Sequence, residues 1–187
     1  MLRNSRELFY AFLACILIAF SYTAVYLSTS QIPAASEFYG HAIGIIGFLL
    51  MLATETLYSL RKRSRMARWG RISNWLQFHI FTGIVGPFMV LLHTSWKFNG
   101  LAGVTTLLTA VIVFSGFIGR YIYTRIPRTV DGFEDSSLVS QMQTGALANA
   151  RRLLSLWYTI HIPIGIALFM AAFAHILGAL YYATLLK

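Results

Sequence analysis

Apolar and polar positions along the chain segregate into five long apolar runs, residues 8–28, 38–60, 72–96, 98–123 and 153–186, joined by short polar stretches. A hydrocarbon core ~30 Å thick is crossed by about 20 mainly apolar residues in a helix, and each run is long enough. Charge is almost absent inside them: Glu55 stands in the second and Arg120 in the fourth. Lipid offers the backbone no hydrogen-bond partner, so a spanning segment must satisfy its own amides and carbonyls as a helix does. The pattern therefore predicts an all-α integral membrane bundle of five transmembrane helices, forming one domain over residues 1–187. Arg3 and Arg6 precede the first run as they would in a signal peptide. That run is longer than the usual 7–15-residue apolar segment, and we expect it to remain as a helix.

The polar stretches add orientation. Between the fourth and fifth runs, residues 124–152 form the longest loop. Pro127 stops the preceding helix, Asp131-Gly132 marks a turn, and Ser136 or Ser137 is expected to cap a short helix through Leu138, Met142, Leu147 and Ala150. The net charge is +9, with 15 Lys and Arg against 6 Asp and Glu. All of these cations except Lys97 and Lys187 fall at the N-terminus, around 61–71, or from Arg120 to Arg152. A one-sided distribution of this kind is the positive-inside pattern, not a nucleic-acid surface. It predicts a bacterial-type cytoplasmic membrane, with the N-terminus and loop 124–152 cytoplasmic and the C-terminus periplasmic. Arg61-Lys62-Arg63-Ser64-Arg65, with Arg68 and Arg71, would lie beside anionic headgroups.

Composition agrees: 57% of residues are hydrophobic and 11% charged, against about 25% charged in soluble domains. The single cysteine, Cys15, forms no internal disulfide and reads as a packing residue. No glycine-rich phosphate loop occurs, and no loop is large enough for a flavin or nicotinamide domain.

Chemistry enters with the histidines. The chain has five, and four fall into one repeated pattern. Trp75, His79, Ile80, Gly83, Ile84 and His93 recur as Trp157, His161, Ile162, Gly165, Ile166 and His175. Fourteen helical residues advance ~21 Å and turn about 1400°, roughly 40° short of four turns. Each pair therefore shares one helix face, with one ring near each side of the membrane. The third and fifth runs are predicted parallel, so His79 and His161 share a cytoplasmic-side depth and His93 and His175 an outer one. Paired in this way they make two bis-histidine sites suited to haem iron. A separation of ~21 Å along each helix is too great for one zinc or copper coordination sphere.

Neighbouring residues suit either a cofactor or plain helix packing. Gly83, Gly86, Gly165 and Gly178 on the histidine runs, and Gly44, Gly47, Gly116 and Gly119 elsewhere, allow close approach of a macrocycle or of another helix. Trp75 and Trp157 suit an interfacial aromatic belt. Pro87 and Pro163 interrupt the backbone ladder.

On these four histidines the chain resembles the membrane di-haem cytochrome b proteins. It is most similar to the ferric reductase-like transmembrane family, which includes NADPH oxidases and the haem subunit of methionine sulfoxide reductase. In that family the third and fifth spans each carry two haem-ligating histidines at about this spacing. The resemblance covers the second to fifth spans. It implies two haem b groups, with His79, His93, His161 and His175 as axial ligands and four helices around them. The chain departs from the family in having five spans instead of six and no fused flavin domain. Nitrate-reductase-type and dehydrogenase membrane anchors, with five spans and two haems, are a second likeness.

Arg120 and Lys97 are candidates for contact with haem propionates on the inner and outer sides. Glu55 would pair with Arg120 or serve protons near a quinone. His41, at the outer start of the second run, has no equally spaced partner and reads as interfacial. The expected function is transmembrane electron transfer within a larger respiratory or photosynthetic complex. Iron–sulfur, flavoprotein or cytochrome c subunits, and quinone, are the implied partners. Two other classes compete: a stand-alone oxidoreductase coupling quinone to superoxide or ferric iron, and a haem-free scaffold or transporter.

Overall fold

The computed structural model describes residues 6–63, 70–127, 134–140 and 144–185. Among them the elements are all helical: α1 (Arg6–Thr29), α2 (Phe38–Arg63), α3 (Ile72–His93), α4 (Gly100–Tyr123), α5 (Ser136–Val139) and α6 (Thr144–Leu185). Five of these, all but α5, are long and apolar enough to cross a membrane. The all-α membrane architecture expected from the apolar runs is the one observed. Exposed side chains such as Phe12, Phe20, Phe114 and Met170 suit hydrocarbon, where burying them against protein brings no hydrophobic gain. The chain divides into two compact units, residues 1–97 and 98–187.

In the first unit α2 and α3 form an antiparallel hairpin, and α1 packs against α3. Ala11, Ile43, Val85, Met89 and Leu92 are its buried apolar centre. The hairpin closes on a stripe of small residues. A Cβ on Gly47 would lie 2.9 Å from the Gly86 carbonyl oxygen, and one on Gly86 would lie 2.9 Å from that of Gly47. Only two residues without side chains can approach this closely. Beside them Thr54 and Thr82 share a buried hydrogen bond of 2.7 Å between their hydroxyls. Each hydroxyl also lies 2.8 Å from a carbonyl of its own helix, Leu50 or Phe78. One proton crosses between the helices while the other stays on its own.

The third span ends sooner than its hydrophobicity suggests. The apolar run continues to Trp96, but α3 stops at His93 with Thr94 as its C-cap. Ser95 and Trp96 then adopt φ values of 50° and 62°, a left-handed conformation that a helix cannot continue. The Ser95 hydroxyl donates to the Pro33 carbonyl at 2.7 Å, tying this turn to the segment before α2. On the other side of the unit boundary, Gly100 opens α4 with φ 56°, so its turn begins two residues later than the run at 98.

In the second unit α4 and α6 form another antiparallel hairpin. The fifth span differs most from expectation, because α6 begins at Thr144 rather than 153. Leu147, Ala150 and Leu154 recur at helical spacing and close over Ile126, which is 2% exposed. That apolar stripe carries the helix through Arg151 and Arg152, and Leu147 and Ala150 belong to α6 instead of a separate helix. The expected serine cap is also displaced by one residue. Asp135 caps α5, its carboxylate accepting from the amides of Ser137 and Leu138 at 3.0 and 3.4 Å. A carboxylate at a helix start answers both unpaired amides and the helix dipole. Pro87 and Pro163 stay inside continuous helices. Arg3, the basic positions 64–69, the Asp131-Gly132 turn, Met142 and Lys187 lie outside the described residues.

Candidate functional site

Three of the four motif histidines have their ring nitrogens held within their own hairpin. His79 Nδ1 lies 3.0 Å from the Thr54 carbonyl oxygen, and His93 Nδ1 lies 2.8 Å from that of Gly40. A carbonyl oxygen only accepts, so in both rings Nδ1 must carry the proton and donate it. In the neutral imidazole this leaves the lone pair on Nε2, the opposite corner of the ring. A donated Nδ1–H and a basic Nε2 are what a metal-ligating histidine presents.

Both bonds follow one register. Fourteen residues separate Gly40 from Thr54, as fourteen separate His79 from His93, and the Gly47–Gly86 contact falls midway. Gly40, Gly47 and Thr54 thus face His93, Gly86 and His79 in steps of seven residues, and a seven-residue step returns to within about 20° of the same helix face. One turn beyond each accepting carbonyl stands the residue that the ring overlies. Beside His93 it is Gly44, where a Cβ would lie 2.6 Å from His93 Nδ1. Beside His79 it is Tyr58, whose ring centroid is 5.0 Å from that of His79.

The second hairpin repeats the plan with different groups. Ser115 faces His161, its Oγ 3.0 Å from Nδ1. Gly119, one turn on, faces Trp157, whose indole lies where a Cβ would be only 2.2 Å away. The indole Nε1–H donates to the Ser115 carbonyl at 2.7 Å and reaches Ser115 Oγ at 3.1 Å. The indole also stacks on the His161 ring, with centroids 4.4 Å apart and planes at 30°. Trp157 is therefore turned onto the histidine. His175 is half-buried on α6.

The glycines are thereby sorted. Gly44, Gly47, Gly86 and Gly119 are filled by neighbouring helix atoms, and Gly83 lies against Thr54, so these five serve the hairpins. A Cβ at Gly116 would sit 4.0 Å from His161 Cε1, and one at Gly178 would meet nothing within 4 Å. Arg120 is half-buried in the last turn of α4, one turn beyond Gly116 on the face beside His161. Lys97 is exposed at the end of the turn after α3. Glu55 is half-buried next to Thr54.

His41 has a neighbour that its position in the sequence did not reveal. Its ring meets that of His93 edge to face, with centroids 6.4 Å apart, while its Nδ1 bonds the Ala35 carbonyl at 3.0 Å. Thr54, Gly40 and Ser115 were likewise not foreseen. Two of them act through main-chain oxygens, which no residue type signals. The heptad of Gly40, Gly47 and Thr54 opposite the histidine motif was the available clue.

Among the described residues no three His, Cys, Asp or Glu side chains converge on a metal site, the arrangement zinc needs. Haem ligation asks for an imidazole with its Nδ1–H donated and Nε2 left basic, and each ring of α3 fits that demand. Comparison with family models, with curated proteins and with solved structures finds no match for this chain.

Proposed function

We propose that this chain is a membrane electron-transfer subunit whose histidines hold two b-type haems. His79 and His161 would be the axial ligands on the cytoplasmic side, and His93 and His175 those on the outer side. The observation that carries the proposal is the pair of carbonyl-bound rings on α3. Two histidines fourteen residues apart both donate Nδ1–H to α2 in one register, so both present a basic Nε2. A packing histidine needs no such repetition.

When bound, haem would supply one-electron redox chemistry, and with His79, His161, His93 and His175 holding it that chemistry would be outer-sphere electron transfer. The chain's own residues do the rest. The Thr54 and Gly40 carbonyls fix tautomer and ring orientation, which strengthens each imidazole as a donor. Arg120 and Lys97 would offer cationic partners to propionates. The apolar helices keep water from the ligands and so favour the less charged redox state. Electrons would pass between a cytoplasmic-side donor, an iron–sulfur protein, flavoprotein or quinone, and a periplasmic partner such as a cytochrome c. We place the chain in a bacterial-type cytoplasmic membrane, N-terminus inside.

A pyridine haemochrome assay on the purified full chain tests this, with two haems per chain expected. A colourless preparation lacking a Soret band would return the chain to the scaffold or transporter class. Quinone oxidation or reduction by the chain alone would instead favour an independent oxidoreductase.

A further inference from the structure

His79 and His93 rest on main-chain oxygens, whereas His161 rests on a side-chain hydroxyl. Ser115 Oγ is 3.0 Å from His161 Nδ1 and 3.1 Å from the Trp157 indole nitrogen. The hydroxyl has two lone pairs and one proton, so it accepts from both N–H groups when Nδ1 is protonated. An oxygen that already accepts one hydrogen bond is a poorer acceptor for a second. The same indole is stacked on the imidazole and anchored to the Ser115 carbonyl, so the three groups form one unit.

We infer that Ser115 is a positioning residue that sets the electron-donor strength of His161, with Trp157 weakening its effect. The inference rests on the proposed haem ligation. A hydrogen-bond acceptor at Nδ1 moves electron density onto the ring, makes Nε2 a stronger donor and favours the oxidised metal. Removing the acceptor favours the reduced metal. Removing the competing indole N–H leaves the hydroxyl to His161 alone and acts the other way. The two substitutions therefore carry opposite signs, which a merely steric role for Ser115 and Trp157 does not produce.

The test is an optical redox titration of the haem-loaded full chain, with the relevant centre identified as the one that His161→Ala abolishes. Ser115→Ala should raise the midpoint potential of that centre, and Trp157→Phe, which keeps an aromatic ring over Gly119, should lower it. Ser115→Thr should stay near the unmodified protein, since the hydroxyl is kept and threonine already stands at the matching place, Thr54, in the other hairpin. The second centre should not move in any variant. Shifts of the same sign for Ser115→Ala and Trp157→Phe would overturn the inference, as would no shift, or equal shifts at both centres. If Ser115→Ala loses the centre altogether, its retention in Ser115→Thr supports the inference and its loss there overturns it. A wild-type protein without haem defeats the proposed function. A two-haem protein with unmoved potentials defeats only the role of Ser115.

Discussion

The smallest side chain in the first hairpin decides where a histidine ring can lie. A methyl group at Gly44 would fall 2.6–2.8 Å from three atoms of the His93 ring, closer than non-bonded carbon and nitrogen tolerate. The ring must then swing away and give up its bond to the Gly40 carbonyl. On the proposed two-haem function, Gly44→Ala is expected to reduce haem from two per chain toward one, losing the centre at His93 while the one at His79 persists. His93→Ala or His175→Ala should give the same phenotype, and His79→Ala or His161→Ala the reverse one. Spectra of the variants under reducing titration would report it, and a Gly44→Ala protein with both haems intact would show that His93 needs no clearance. A residue outside the ligand pattern thus carries the sharpest test of the ligand geometry.

At the scale of elements, the α2–α3 seam should be the stiffest contact in the first unit. Gly47 and Gly86 touch through backbone, so a side chain there cannot be absorbed by a rotamer change and must push the helices apart. Gly86→Leu should cost about 1–3 kcal/mol or more by overpacking, read as a lower midpoint of thermal unfolding in detergent. Thr82, 1% exposed, tests the polar side of the seam. Thr82→Val deletes the cross-helix bond at the expense of about 0.5–1.5 kcal/mol, and an unchanged unfolding midpoint would show that the bond contributes nothing net. The α5 cap predicts a pH response. The Ser137 hydroxyl and the Ser137 and Leu138 amides hold the Asp135 carboxyl below the ordinary aspartate range. A depressed carboxyl pKa stabilises the capped turn fully above the unfolded value, about 3.9. That contribution fades as pH falls through the lower folded value. Hydrogen-exchange protection across 136–139, taken relative to the intrinsic rate at each pH, should therefore fall in acid, and Asp135→Asn, which can cap without titrating, should abolish that loss. The elements themselves were legible in the sequence because span length and apolar composition are set by the membrane. Their ends were not. α3 stops early through a left-handed turn at Ser95 and Trp96, and α6 starts early because Leu147, Ala150 and Leu154 have Ile126 to cover. Both are tertiary effects that a hydropathy run does not contain.

At the scale of the whole molecule, sequence and structure speak to different halves of one problem. The histidine repeat marked four candidate ligands and an expected depth for each. Each hairpin then shows how a ring is held, by a carbonyl at Thr54 or Gly40 and by a hydroxyl at Ser115. Direction across the membrane comes from charge alone. Lys97 ends the short turn after α3, whereas Arg120, Arg125, Arg151 and Arg152 gather at the opposite ends of α4 and α6. Translocating a cluster of cations against the positive-inside bias is unfavourable, so the arginine side should remain cytoplasmic. In a Cys15→Ala background, Lys97→Cys should react with a membrane-impermeant maleimide in intact cells. Arg125→Cys, exposed just past the C-terminal end of α4, should react only after permeabilisation. The reverse labelling would invert the molecule. On the proposed function it would put His79 toward the periplasmic face and His93 toward the cytoplasmic electron partner instead.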